Sequence, residues 1–283
     1  ILNNWLVSTN LHPQEWTGAE RLGAEPDIAE VIQLINARWP HHAVMVRSLN
    51  PFCNELLMQN LKRAGFLMVP SRQVYLYDAR QGDSSAFADT RNFQWDSRLL
   101  ETGAYATEHP LRNPDAQIFQ RIAQLYGCLY LEKYSRLNPQ YQPEWFQRGH
   151  EEGWLDLAVL RRRDSTRSHS HDSPDGIDGV VGWFGSDSVF TTPVVGYDTA
   201  LPQRLGLYRM LIALTLRRAL KKRAVLNLSS GAAKFKRLRG GVPEIEYSAV
   251  YVRHLPAHRR AVWHGLAALL QNVAVPLLRR NEL

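Results

Sequence analysis

The chain has 283 residues, 45% of them hydrophobic and 10% aromatic, which excludes a disordered polypeptide and allows one large core or two smaller ones. Against 27 acidic side chains stand 34 lysines and arginines, a net charge of +7 that suits polyanionic partners without specifying a fold. Two cysteines, Cys53 and Cys128, exclude both a disulfide framework and a zinc site of recognised spacing, and predict small core residues in a reducing compartment.

In chain order, the opening Ile-Leu-Asn-Asn-Trp lacks the charged start and cleavable pattern of a signal peptide. Asp27 to Trp39 has helical apolar spacing at Ile28, Val31, Ile32 and Ile35, with Asp27 as its N-cap behind Pro26. His42 to Leu49 is a Val-rich run that reads as a strand. Asn54 to Gly65 reads as a helix closed by glycine, and Phe66 to Tyr77 as a pair of short strands around Pro70. The polar stretch from Arg80 to Asp89 is the expected boundary, giving an N-terminal unit over 1–90 and a C-terminal unit over 91–283.

Asp115 to Tyr134 is a predicted helix with a buried stripe at Ile118, Ile122, Leu125 and Leu129, ended ahead of Asn138-Pro139. A further helix starts at Pro143. The aromatics Tyr126, Tyr130, Tyr134, Tyr141 and Trp145 either fill core, the commoner use of such spacing, or line an acceptor pocket to which Tyr134, Asn138 and Tyr247 would contribute. Trp154–Arg162 and Gly176–Phe184 read as strands joined by a loop of low hydrophobicity, expected to be mobile. That loop carries His169, His171 and Asp172, but a mobile tip offers no fixed partners to orient metal ligands, and no metal site is predicted.

Val189 to Val195 is the next strand, followed by a Gly-Tyr-Asp turn and a helix from Pro202 to Lys222. A short strand at Val225–Leu228 breaks at Ser229-Ser230-Gly231. Beyond the break, Lys234, Lys236, Arg237 and Arg239 lie on a short basic helix, either a solvated face or an anion site at a helix start. Ile245 to Val252 alternates as a final strand, and Pro256 to Pro276 reads as a closing helix packed on the sheet. No run of eighteen apolar residues occurs, the best stretch being Leu205–Leu216 with Arg209 inside it. The sequence therefore predicts no membrane span and a cytoplasmic location.

The order hairpin, strand, loop, helix, strand, short basic helix and final strand resembles a GNAT-type acyltransferase. The piece Asn227-Leu-Ser-Ser-Gly-Ala-Ala-Lys-Phe-Lys-Arg-Leu-Arg-Gly240 resembles the aromatic-lysine-arginine motif of the FemAB-like and CelD/BcsL (BioF2-like) branch. The resemblance covers Trp154 to Val252 best. It implies an α/β (α+β) fold with a mixed twisted sheet flanked by helices, built as two tandem GNAT-like units. It also implies transfer of an acyl group from a thioester donor, acyl-CoA or an acyl carrier protein, to an amine or hydroxyl of a small acceptor, with aminoacyl-tRNA as the alternative donor and no permanently bound cofactor.

Carried over residue by residue, the resemblance makes Lys236 the lysine beside the reacting ester, with Arg237 as its supporting cation. Thr192, Val194 and the strand around them would supply backbone donors to the carbonyl. Gln203, Arg204, Gly206 and Tyr208 would stand at the phosphate loop, beside Ser229 and Ser230. Tyr208 departs from the family pattern, because a small residue belongs there. Asp198 is the acidic candidate for proton transfer, or else a turn residue, and Tyr197 and Tyr208 are possible proton donors. No G-x-S-x-G occurs, which argues against a serine nucleophile. A catalytically silent GNAT-like binding module is the reading from a different class.

Overall fold

The computed structural model describes residues 1–2, 4, 7–12, 28–163 and 176–280. The expected cap Asp27 and the loop carrying His169, His171 and Asp172 lie outside the described residues. The strands are β1 (Val44–Leu49), β2 (Leu67–Asp78), β3 (Tyr105–Glu108), β4 (Asp156–Arg162), β5 (Ile177–Gly185), β6 (Val189–Tyr197), β7 (Val225–Asn227) and β8 (Val242–Tyr251). They form a mixed sheet in the order β1-β8-β2-β7-β6-β5-β4-β3. The β6–β7 ladder is parallel, whereas β1–β8, β2–β7, β3–β4, β4–β5 and β5–β6 are antiparallel. The flanking helices are α1 (Ile28–Arg38), α2 (Pro51–Arg63), α3 (Arg91–Thr102), α4 (Ala116–Gly127), α5 (Pro143–Glu151), α6 (Leu207–Lys222), α7 (Ala233–Arg237), α8 (Ala257–Leu269) and α9 (Val275–Arg280).

The chain divides into two compact units. The first holds Ile1–Tyr75, Ser229–Arg237 and Val242–Leu283; the second holds Leu76–Leu228 and Leu238–Gly241. A single cut near residue 90 does not separate them, because the first unit takes β8 and the last helices from the far end of the chain.

In the first unit, α2 begins where Asn50 accepts from the Cys53 amide, and Leu57, Met58 and Leu61 on it meet Val46, Leu49 and Ala249 of β1 and β8. A smaller cluster joins Val69, Val250, Val252 and Leu255 to Trp263, Ala267 and Leu270 on the last helix. In the second unit, Asp115 caps α4 by accepting from the Ile118 amide. The stripe of Ile118, Ile122, Leu125 and Leu129 is buried, as its spacing predicts. Its Ile118, Ile122 and Leu125 pack with Phe146 of α5 against Leu157, Val159, Val180 and Val194 of the sheet.

Four local expectations are corrected. β2 is one strand running through Pro70, not two around it. Its ladder with β7 involves Leu76 to Asp78, so the missing Pro70 N–H removes no bond from that ladder. The closing helix does not stop at Pro276. A wide turn over Leu270–Ala274 leads into α9, where proline sits in the first turn and its absent N–H is not needed. The cysteines are half-buried, not core. The helix expected from Pro202 is a 3₁₀ turn at Gln203–Leu205 followed by α6, the two divided at Gly206, whose φ of 70° is left-handed.

Candidate functional site

In the second unit, candidate residues gather where β6 parts from its neighbour. β7 is three residues long and pairs with β6 only through Val189, Phe190 and Thr191. Thr191 closes that ladder, its Oγ1 donating to the Asn227 carbonyl at 2.8 Å. From Thr192 onward β6 keeps its β5 ladder alone. The Thr192 hydroxyl, at the point of divergence, is buried and has no hydrogen-bond partner among the described residues. A buried hydroxyl in that state is uncommon and marks a place where a ligand can complete the bonding. Val194 is fully buried in the core, so this position can offer only its backbone.

Two residues further on, a Cβ on Gly196 would lie 2.6 Å from the Leu125 carbonyl carbon and the Tyr126 nitrogen. Glycine therefore lets the α4 backbone rest directly on β6. The wide turn that continues α4 over Cys128–Tyr134 then runs along the same strand. Tyr126, Tyr130 and Tyr134 form a ladder of rings with centroids 4.7 and 6.0 Å apart, leading from the core to the exposed Tyr134. Asn138 donates to the Tyr130 carbonyl at 2.9 Å. The ring of Tyr197 stands 6.2 Å from that of Tyr208, and Lys133 donates to the Tyr197 hydroxyl at 3.2 Å. Burial, reinforced by the neighbouring tyrosines, pushes the Tyr208 phenol well above its ordinary pKa and holds it protonated.

Asp198 performs structural work in this structure. Its Oδ1 accepts from the Ala200 amide at 3.0 Å, closing the turn, and its Oδ2 accepts from Arg121 at 3.2 Å. Gln203 and Arg204 are exposed on the 3₁₀ turn that precedes Gly206 and the N-terminus of α6.

The first unit holds Lys236. Only 4% of the residue is exposed, whereas Lys234, two residues earlier, is exposed to solvent. The loop ahead of α7 is left-handed at Ser229, Gly231 and Ala232, with φ of 58°, 79° and 50°. Such a run turns the Ser229 and Ser230 carbonyls toward the lysine, whose Nζ donates to them at 3.2 and 2.8 Å. The ammonium also stands 5.6 Å from the centroid of the Tyr75 ring, with the Arg237 guanidinium 5.9 Å from the same ring. Burial first, and then the Arg72 charge, push the Lys236 pKa down from 10.5 to about 7. Arg72 is held by the buried Glu246, from Nε to Oε1 at 2.8 Å.

The four cations of the basic segment therefore do not converge. Lys236 faces carbonyls, Lys234 faces solvent, Arg237 lies over Tyr75, and Arg239 is buried against Asp96. Tyr247 is half-buried against the Leu49 and Leu57 cluster of the first unit, whereas Tyr134 and Asn138 belong to the second. Among the described residues no group of three or more His, Cys, Asp or Glu side chains converges as a metal site would require. Sequence reasoning missed Arg72, Tyr75 and Glu246 around Lys236.

The mixed sheet, with one strand diverging ahead of a long helix, is a fold that the chain shares with solved structures of FemX and of lysylphosphatidylglycerol synthetase domains. Among solved structures it matches L-PGS from Bacillus licheniformis with a TM-score of 0.58 at 13% identity, over 87% of this chain and 80% of that one. It matches FemX with a TM-score of 0.57 at 10% identity, over 81% and 78%. A C-terminal DUF2156 domain from Agrobacterium fabrum matches with a TM-score of 0.55 at 14% identity, over 88% and 79%. At these identities the likeness is one of fold. No protein-family model and no curated protein matches the sequence.

Proposed function

We propose that this chain is an acyltransferase that moves an acyl or aminoacyl group from an activated ester or thioester to an amine or hydroxyl of a small acceptor. The observation that carries the reading is Lys236, a lysine buried at 4% exposure, held by two carbonyls of a strained loop, with its pKa brought down to about 7. Buried ionisable groups with strongly shifted pKa values cluster at functional centres. In the reaction the acceptor nitrogen or oxygen attacks the donor carbonyl carbon and forms the new C–N or C–O bond. The old C–O or C–S bond breaks, its electron pair leaves with the donor alcohol or thiol, and the acceptor's proton passes to that leaving group or to water. Lys236 in its ammonium form stabilises the oxyanion of the tetrahedral intermediate. In the second unit, the Thr192 hydroxyl and the β6 backbone beyond it offer hydrogen bonds to a ligand.

Tyr208 favours aminoacyl-tRNA over coenzyme A as that donor. Its half-buried ring occupies the first turn of α6, where a pyrophosphate would need close approach to the backbone. The net charge of +7 serves an RNA donor as well. Incubating the protein with charged tRNA and with acyl-CoA, across a panel of amines and hydroxyls, tests both readings. The expected result is product from charged tRNA, abolished by ribonuclease, with affinity falling steeply as salt rises. Product from acyl-CoA with no nuclease sensitivity would assign the thioester donor instead. Donor binding without turnover would replace the enzyme by a binding module.

A further inference from the structure

The last helix of the first unit runs from Ala257 to Arg280 through the wide turn at Leu270–Ala274, and its most apolar eighteen residues have a mean hydropathy of 1.4. One face is committed to the protein: Trp263, Ala267 and Leu270 pack on Val69, Val250, Val252 and Leu255, and Val275 is buried. Another face is apolar and exposed. Val262, Leu266, Leu269, Val273 and Leu277 are 68%, 39%, 58%, 48% and 50% exposed. Their spacing is four, three, four and four residues, and the wide turn absorbs the extra residue that would otherwise rotate Leu277 off the line. The stripe is about 22 Å long at 1.5 Å per residue.

The charges of this helix indicate what covers the stripe. It contains no Asp or Glu; Arg259 and Arg260 stand at one end, and Arg279 and Arg280 at the other. On a second flank, Arg260 and His264 line a groove of about 650 Å³ together with Lys62 and Arg253. A second copy of the helix laid along the stripe, parallel or antiparallel, would bring arginine-bearing ends against arginine-bearing ends. A membrane-spanning role would strip Trp263, Ala267 and Leu270 from their core partners. An anionic bilayer surface meets both demands, taking the apolar stripe among its acyl chains and the arginines among its phosphates.

From this geometry we infer that the Ala257–Arg280 helix docks the protein flat on an anionic phospholipid surface. The inference is independent of the proposed transferase activity. Flotation of the full chain with vesicles of phosphatidylcholine alone, or of phosphatidylcholine and phosphatidylglycerol in equal parts, tests it. The protein should float with the anionic vesicles at least about tenfold more than with the neutral ones, and less so as salt rises. Joint Leu266→Ser and Leu269→Ser substitution should lower the bound fraction at least about tenfold, leaving the unfolding midpoint unchanged. Should that midpoint fall, Val262→Ser, at the most exposed position of the stripe, takes its place with the same expectation. Failure of the unaltered chain to bind, or equal binding by the stripe variants, overturns the proposal. A shift from dimer to monomer on stripe substitution, without vesicle binding, overturns it in favour of a second copy.

Discussion

Lys234 and Lys236 are separated by one residue on a helix of five, and their surroundings set them apart. Lys236→Ala should lower kcat about a hundredfold, the effect of removing one preorganised oxyanion donor. Lys236→Arg should restore only part of it, since a planar fork does not fit between the Ser229 and Ser230 carbonyls as a compact ammonium does. Lys234→Ala should change kcat little. Steady-state kinetics on the three variants checks the series, and equal mild losses at both lysines would mean a diffuse basic patch. The depressed pKa adds a test by pH. Folded Lys236 loses its proton near pH 7 and the unfolded chain near 10.5, so between these values the unfolded state binds the extra proton. Stability should therefore rise with pH through that window, by up to about 1.4 kcal/mol per pH unit from this group, and Lys236→Met should remove the rise in denaturant titrations. Because the ammonium is the acting form in the proposed reaction, kcat/KM should fall above pH 7. The motif singles out Lys236 in the sequence, but its partners Arg72 and Tyr75 lie far away on β2, and no local pattern joins them to it. Nor do left-handed Ser229 and Ala232 follow from their residue types, since neither favours that conformation as Gly231 does.

At the scale of the element, the periods of the chain were readable where an element buries one face continuously. The stripe of α4, the strands β4 to β6 and the helix α6 lie within a few residues of where spacing put them. Spacing does not announce the wide turns after α4 and α8, or the 3₁₀ turn before α6, because these depend on what each turn packs against. The divergence of β6 from β7 follows from the shortness of β7, and Thr192 tests its use. Thr192→Val keeps the volume and removes a hydroxyl that has no partner among the described residues. It should leave the unfolding midpoint unchanged or raise it, because no bond is lost and a desolvated polar group disappears. Donor affinity should fall by about tenfold, equivalent to the net worth of one hydrogen bond. Gly196→Ala separates packing from ligand binding at the same strand. Its Cβ would meet α4 backbone atoms that cannot turn aside, so it should destabilise by about 1–3 kcal/mol, read from thermal or denaturant unfolding.

For the whole molecule, the sequence could not disclose that both compact units are discontinuous, since which strand joins which is decided by pairings between distant segments. Leu238–Gly241 shows how such an assignment is held. These four residues belong to the second unit although both flanking segments belong to the first. Within the second unit Arg239 is buried, its Nε donating to Asp96 Oδ2 at 2.6 Å, and Gly240, at φ 81°, packs so closely on Phe87 that a Cβ would lie 2.5 Å from that side chain. Asp96 on α3 also accepts from Arg209 of α6 at 2.6 Å, so one buried carboxylate ties together three segments of the chain. Its two cationic partners differ in exposure, at 5% for the Arg239 side chain and 43% for that of Arg209. Removing the carboxylate leaves the Arg239 guanidinium buried without its counter-charge, and Asp96→Ala should lower unfolding stability by about 3–5 kcal/mol. Arg209→Ala removes a partner that water can largely replace, and should cost about 1 kcal/mol or less. Denaturant titration of the two variants compares them directly. Equal small losses would show that the Asp96–Arg239 pair does not hold the returning segment, and that the close fit of Gly240 on Phe87 alone suffices.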